Sequence, residues 1–308
     1  MHRLHNASRF AAAGSRCRHP LLHPMLLTRT TALLVLLCSL SATGHAQAPA
    51  ACALTPVQGE MRELPSGGRQ RIYRLFVPAS AAGQARLPLV IDLHPSGGNA
   101  TARAKESGFE ALAAREGFAV ATLQAEDSRW NVPVSSARAD DLKYVIDVLD
   151  DIAARTCIDP ARVYATGFSG GARMSSLLGC RLNDRIAAIA PVGGLRWFGP
   201  CGGRAVPVLA VHGLADLTNP YEGHGDRGAE WVESVPEALA GWAMHNRCQP
   251  QLKQDAQPAP LAVVRYAGCS DGSEVRLLRV DRMGHVWPRA EVDASAVVWQ
   301  FFKAHPMR

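Results

Sequence analysis

The chain has 308 residues, 47% hydrophobic and 19% charged, an ordinary globular composition able to bury a core. Its formal charge is +6, but Arg3, Arg9, Arg16, Arg18 and Arg29 all fall within residues 1–46, which hold no acid. The remainder carries 28 basic against 27 acidic residues, so the charge balance speaks against a nucleic-acid-binding protein.

Residues 33–40 are an apolar run, too short for a stable membrane anchor, preceded by Arg29 and followed by Gly44-His45-Ala46. This pattern predicts a secretory signal peptide over residues 1–46, with Met25 as the expected true start, and an extracellular or periplasmic mature protein over 47–308. Residues 47–66 read as an irregular start. An edge strand is expected over 71–77. A buried strand over 87–93 runs into the Gly-rich loop His94-Pro95-Ser96-Gly97-Gly98-Asn99. A helix over 103–115 precedes a buried strand over 118–123. Leu142, Val145, Ile146, Leu149 and Ile152 share one face of a helix over 140–154. A strand over 162–166, a helix over 170–178 and buried strands over 186–192 and 206–211 follow. The chain ends with a helix over 230–244, strands over 261–266 and 274–280, and a helix over 290–302. Strands alternating with helices predict one α/β domain with a mostly parallel sheet covered on both faces.

The sequence Thr166-Gly167-Phe168-Ser169-Gly170-Gly171 places G-x-S-x-G between a strand and a helix. A sharp turn there lifts the serine hydroxyl above the sheet, and glycines are required where a side chain would collide with neighbouring backbone. The same spacing recurs at Gly268-Cys269-Ser270-Asp271-Gly272, but between two strands and before no helix, which reads as a hairpin turn. Ser169 is therefore the candidate nucleophile. A serine needs a base and the base needs an acid, which in this arrangement follow in the order Ser, acid, His. Asp216, after the strand over 206–211, and His285, after the strand over 274–280, fill those roles. Asp281 is the rival acid. His212 and Asp216 are four apart but leave a strand end rather than a helix face, so no metal site is read there. The oxyanion hole requires two backbone N–H groups. Gly170 supplies one. Pro95 has none, which leaves Ser96 for the other. Trp130, Tyr221 and Trp287 are candidates for the substrate pocket, with core packing as the alternative for each.

Of eight cysteines, Cys17 and Cys38 leave with the leader. The six that remain fit disulfides in an exported protein. Proximity pairs Cys180 with Cys201 and Cys248 with Cys269. Elimination then pairs Cys52 with Cys157.

A broader resemblance rests on Leu93-His94-Pro95-Ser96-Gly97-Gly98, Trp130-Asn131, Ile158-Asp159-Pro160-Ala161-Arg162-Val163-Tyr164, Gly167-Phe168-Ser169-Gly170-Gly171, Ala190-Pro191-Val192, His212-Gly213-Leu214-Ala215-Asp216, Pro220-Tyr221-Glu222-Gly223 and Gly284-His285-Val286-Trp287-Pro288. In this order they are similar to the secreted esterases related to polyhydroxybutyrate depolymerases and to feruloyl and acetylxylan esterases. The resemblance implies an α/β-hydrolase fold, no cofactor and an acyl-enzyme mechanism on Ser169, Asp216 and His285. It implies an ester substrate, either a short hydroxyalkanoate oligomer or a hydroxycinnamoyl or acetyl ester, and no stable membrane anchor. The family usually has Gly where this chain has Pro95. A serine peptidase and a non-catalytic binding protein of the same fold are the rival readings.

Overall fold

In a computed structural model of the chain, the residues described are 54–81, 86–223, 233–255 and 260–308. The leader over 1–46, Cys52 and the first three residues of the helix expected over 230–244 lie outside them. The elements run β1 (Val57–Ser66), β2 (Arg69–Val77), β3 (Leu87–Leu93), α1 (Ala100–Ser107), α2 (Phe109–Glu116), β4 (Ala119–Leu123), α3 (Asp141–Arg155), β5 (Ile158–Phe168), α4 (Gly170–Arg181), β6 (Ala188–Val192), β7 (Val208–Gly213), α5 (Val235–His245), β8 (Leu252–Asp255), β9 (Leu261–Tyr266), β10 (Val275–Val280) and α6 (Ala294–Ala304).

One sheet takes the order β1-β2-β4-β3-β5-β6-β7-β10-β9-β8. The six central strands, β4 to β10 in that order, are parallel. Antiparallel pairs close it at each side, β2 and β1 at one, β9 and β8 at the other. Parallel strands must be covered on both faces, and β3, β4, β6 and β7 are buried at every position. Alternate residues serve two cores. Leu89, Ile91, Ala121, Val208 and Ala210 pack with α3, α4 and α5 residues such as Val148, Leu177 and Trp242. Val90, Val120, Leu209 and Val211 pack with Phe109, Val298 and Phe302 of α2 and α6.

Several expectations need correction. The start over 47–66 is not irregular throughout: β1 occupies its second half and takes the edge position assigned to the strand over 71–77, so β2 lies one place inside. The helix over 103–115 is two helices, because Gly108 adopts a left-handed φ of 64° and caps the first. The short exposed β8 was not foreseen. The last two helices begin later than expected. Ser234 and Glu237 cap α5 reciprocally, and Asp293 caps α6 by accepting from the Ala296 amide.

Two of the three expected disulfides are present, Cys180–Cys201 and Cys248–Cys269. Cys157 is also disulfide-bonded. Among the described residues no helix is long and apolar enough to cross a membrane.

Candidate active site

β5 ends at Phe168 and α4 begins at Gly170, so Ser169 alone makes the turn. Its φ of 54° and ψ of −112° lie where an L-residue is strained. The strain is held by the Ser169 amide donating to Val192 O at 3.0 Å and by Arg173 N donating back to Ser169 O at 3.1 Å. The glycines around it answer close backbone approach. A Cβ at Gly167 would come within 2.5 Å of the Gly171 carbonyl carbon, and one at Gly171 within 2.6 Å of that of Leu93. The second G-x-S-x-G forms the turn between antiparallel β9 and β10, where the Ser270 hydroxyl donates to Asn246 O at 3.0 Å.

β10 and β7 run side by side in parallel register, Arg279 beside His212 and Val280 beside Gly213. Their two exit loops therefore emerge together. His285 Nδ1 lies 2.7 Å from Asp216 Oδ2. An ionised carboxylate only accepts, so Nδ1 carries the proton and Nε2 keeps its lone pair. Burial pushes the Asp216 carboxyl up. The hydrogen bonds from His285 and from the Asn219 amide outweigh it and hold the group below the ordinary carboxylate value. Asp281, the rival acid, instead faces Arg279 at 3.7 Å.

Among the described residues no hydrogen bond joins the Ser169 hydroxyl to His285. Both stand against the same pair of glycines. A Cβ at Gly194 would lie 2.5 Å from Ser169 O, and one at Gly193 would lie 3.7 Å from His285 Cε1. The His285 ring also tilts over Phe168, centroids 4.7 Å apart. The serine hydroxyl of an enzyme without substrate often sits outside hydrogen-bond range of its base.

Ser96 reaches the other side of Gly170, where a Cβ would lie 3.0 Å from Ser96 N and would collide with its hydroxyl. The backbone amides of residues 96 and 170 thus lie close together beside Ser169, at the N-terminus of α4.

Residue-type reasoning missed the supports of this frame. Asn219 donates its amide to Asp216 Oδ1 at 2.8 Å and its side-chain Nδ2 to Gly193 O at 2.6 Å. The Asn219 carbonyl accepts from His212 Nε2 at 2.9 Å. His94 accepts the Ala125 amide at Nε2 (3.0 Å), so its proton sits on Nδ1, 2.8 Å from Pro95 O. The only available signals were the positions of His94 and His212 at strand ends. Their partners come from distant loops.

The sequence profile of the family described as Esterase PHB depolymerase matches residues 71–210. Feruloyl esterase B of Piromyces equi is 30% identical over 247 residues, covering 73% of this chain. The chain spans 44% of that relative's length. The chain is thus similar to the esterases related to polyhydroxybutyrate depolymerases and to feruloyl and acetylxylan esterases. A putative esterase, NocK of Nocardia uniformis subsp. tsuyamanensis, is 28% identical over 252 residues, 74% of this chain and 73% of that protein. Among solved structures, an acetyl xylan esterase from Aspergillus awamori superposes with a TM-score of 0.58 at 13% identity, over 80% of this chain and 99% of that one. At that identity the likeness speaks for the fold.

The three aromatic candidates part company in the structure. Trp130 lines a cavity of about 110 Å³ together with Ser96 and Gly170, and its Nε1 donates to His94 O at 2.8 Å. Trp287 turns away into the core, its indole packed edge-on against Phe109, under the Arg103 guanidinium and bonded to Ser295 Oγ at 3.2 Å. Closeness to His285 in sequence misled here, because Trp287 follows the loop back beneath the sheet edge. Tyr221 is half-buried, its ring 6.0 Å from that of His212, behind the acid rather than in the cavity.

Proposed function

We propose that this esterase is an exported carboxylic-ester hydrolase of the polyhydroxybutyrate-depolymerase-like type, working through a Ser169–His285–Asp216 triad. The observation that carries the reading is the 2.7 Å contact between His285 Nδ1 and Asp216 Oδ2, made at the loop ends beside the strained Ser169 turn. With Nδ1 protonated, His285 Nε2 takes the Ser169 proton as Oγ attacks the ester carbonyl. The carbonyl oxygen becomes negative and is stabilised by the Ser96 and Gly170 amides. The tetrahedral adduct collapses, His285 returns the proton to the departing alkoxide, and the alcohol leaves. Water then attacks the acyl-enzyme with His285 again as base, releasing the acid and restoring the Ser169 hydroxyl. No step calls on a cofactor.

Export is supported by the disulfides, which persist in oxidising compartments, and by the leader over 1–46. N-terminal sequencing of the protein recovered outside the cytoplasm tests it, with a mature terminus after Ala46 expected.

The decisive assay is hydrolysis of p-nitrophenyl esters, hydroxybutyrate oligomers and methyl ferulate by wild type, Ser169→Ala and Ser270→Ala. Ser169→Ala is expected to lose at least about 10⁴-fold in kcat while remaining folded, and Ser270→Ala to keep full activity. The reverse pattern overturns the assignment. The name of the Piromyces equi relative favours a second reading, a feruloyl or acetylxylan esterase acting on plant cell-wall esters. Preference for methyl ferulate over hydroxybutyrate oligomers selects it. Cleavage of amides in place of esters marks a peptidase.

A further inference from the structure

The cavity beside Ser96 and Gly170 is lined by Trp130 and Val132 and by Arg129, Arg138 and Arg173. Arg173 has a partner of its own, which leaves Arg129 and Arg138 as two guanidinium groups around so small a space, with no acid among its described lining residues, an unusual wall for an esterase of neutral substrates. We propose that this cavity receives an acyl chain ending in a carboxylate, so that the preferred substrates are monoesters of short dicarboxylic acids. The inference rests on the active-site reading above and adds the substrate class.

Four observations carry it. First, Arg129 is exposed and makes no side-chain hydrogen bond or ion pair among the described residues. Arg138 donates to the Trp130 and Arg129 carbonyls at 2.9 and 2.6 Å, which orients its guanidinium without neutralising it. Second, among the described residues Glu126 and Asp141 are committed elsewhere. Glu126 pairs with Arg69 at 2.7 Å and Asp141 with Arg71 at 2.7 Å. Asp127 lines the adjoining cavity but forms an ion pair with neither arginine. Third, the loop that presents Arg129 is held in strain. Asp127 and Ser128 take left-handed φ values of 51° and 56°, and Gly97 N ties this loop to the oxyanion loop by donating to Ser128 O at 2.8 Å. Arg129 and Ser96 are thereby fixed relative to one another. Fourth, the proposed mechanism puts the cavity on the acyl side. His285 must hand a proton to the leaving oxygen, so the alcohol points toward His285. The cavity is lined by neither His285 nor the residues around it, Phe168, Gly193 and Asp216.

The chemistry of the walls matches such a chain. Trp130 and Val132 offer apolar surface to the methylenes. A planar guanidinium in the same lining matches a carboxylate by paired hydrogen bonds, a geometry an ammonium does not provide.

The test compares 4-nitrophenyl hydrogen glutarate with 4-nitrophenyl valerate, an acyl chain of equal carbon number without the charge. Wild type is expected to favour the glutarate by about tenfold or more in kcat/KM, the scale of one charge-assisted contact. That preference should shrink as ionic strength rises. Arg129→Gln should lower the glutarate-to-valerate ratio by about tenfold, acting mainly through KM. Turnover of valerate with no preference for glutarate, or a ratio unmoved by Arg129→Gln, overturns this inference alone. Turnover of neither ester by wild type overturns the active-site reading and this inference with it.

Discussion

In the proposed mechanism His94 would set the geometry of reaction without touching the substrate. It is fully buried, and burial holds its imidazole below the ordinary histidine value, hence neutral. Only the neutral ring can accept from Ala125 N while donating to Pro95 O, the carbonyl directly before Ser96. Trp130 then clamps the His94 carbonyl from outside. His94→Ala leaves these groups unsatisfied and frees the loop that aims the Ser96 amide. We expect kcat to fall about 10- to 100-fold with KM little changed, since removing an oxyanion donor outright costs about 10²–10³-fold. Steady-state kinetics with a p-nitrophenyl ester checks it. A purely structural role would lower the active fraction and leave kcat per active site intact, as burst titration would reveal. The same ring, with the equally buried His212, gives a pH dependence. Both bind a proton more readily unfolded than folded. Their stabilisation is therefore complete above about 6.5, the ordinary histidine value, and is lost as pH falls below it. The melting temperature should fall steadily from about pH 6.5 downward, and His94→Gln should flatten part of that slope.

At the scale of elements, the nucleophile turn depends on how closely α4 approaches β3. The start of α4 lies over the C-terminal end of β3, and a Cβ at Gly171 would meet the Leu93 carbonyl group and come within 2.7 Å of His94 O. Backbone cannot yield as a flexible side chain can. Gly171→Ala should therefore destabilise by about 3 kcal/mol or more and reduce soluble yield, whereas Gly202→Ala, with nothing within 4 Å, should be close to neutral. Urea unfolding of the two variants separates these outcomes. This turn was legible in the sequence because a strand, a G-x-S-x-G and a helix lie next to one another in the chain. The Asp216 and His285 loops were legible because each follows a strong apolar run. What escaped is what local pattern cannot encode. In β1 the alternation breaks where Gly59 takes a φ of 70° and the register shifts between Gln58 and Glu60, so period-two reading fails. β8 is short, polar and mostly exposed, and exists only because β9 pairs with it. The Arg129–Arg138 wall was also invisible. It is built from a loop tied to Gly97, far back in the chain, and folded on itself by Asp141, whose carboxylate accepts the Asn131 amide.

Across the whole molecule, both described disulfides span 21 residues and stitch helix ends to loops on the flank of the sheet. Cys180 lies in the last turn of α4, and Cys201 in the loop between β6 and β7. Closing a loop of that length removes unfolded-chain entropy equivalent to about 3 kcal/mol. For a chain of this size, that corresponds to a melting temperature lower by roughly 6–12 °C once the bond is gone. Ser169 stands at the opposite end of α4, about 16 Å away at 1.5 Å per residue. The helix is also anchored on β5 and β6 by Met174, Leu177 and Leu178 in the larger core. Stability and chemistry are thus carried by different parts of one helix. The double replacement Cys180→Ala with Cys201→Ala should lower the melting temperature by that amount yet leave kcat per folded molecule within about twofold of wild type, because additivity holds for distant sites. Differential scanning calorimetry beside active-site titration measures both quantities on one sample. A matching loss of kcat would mean that the far end of α4 transmits strain to the Ser169 turn, and that the helix is held in place by its cross-link rather than by its buried face.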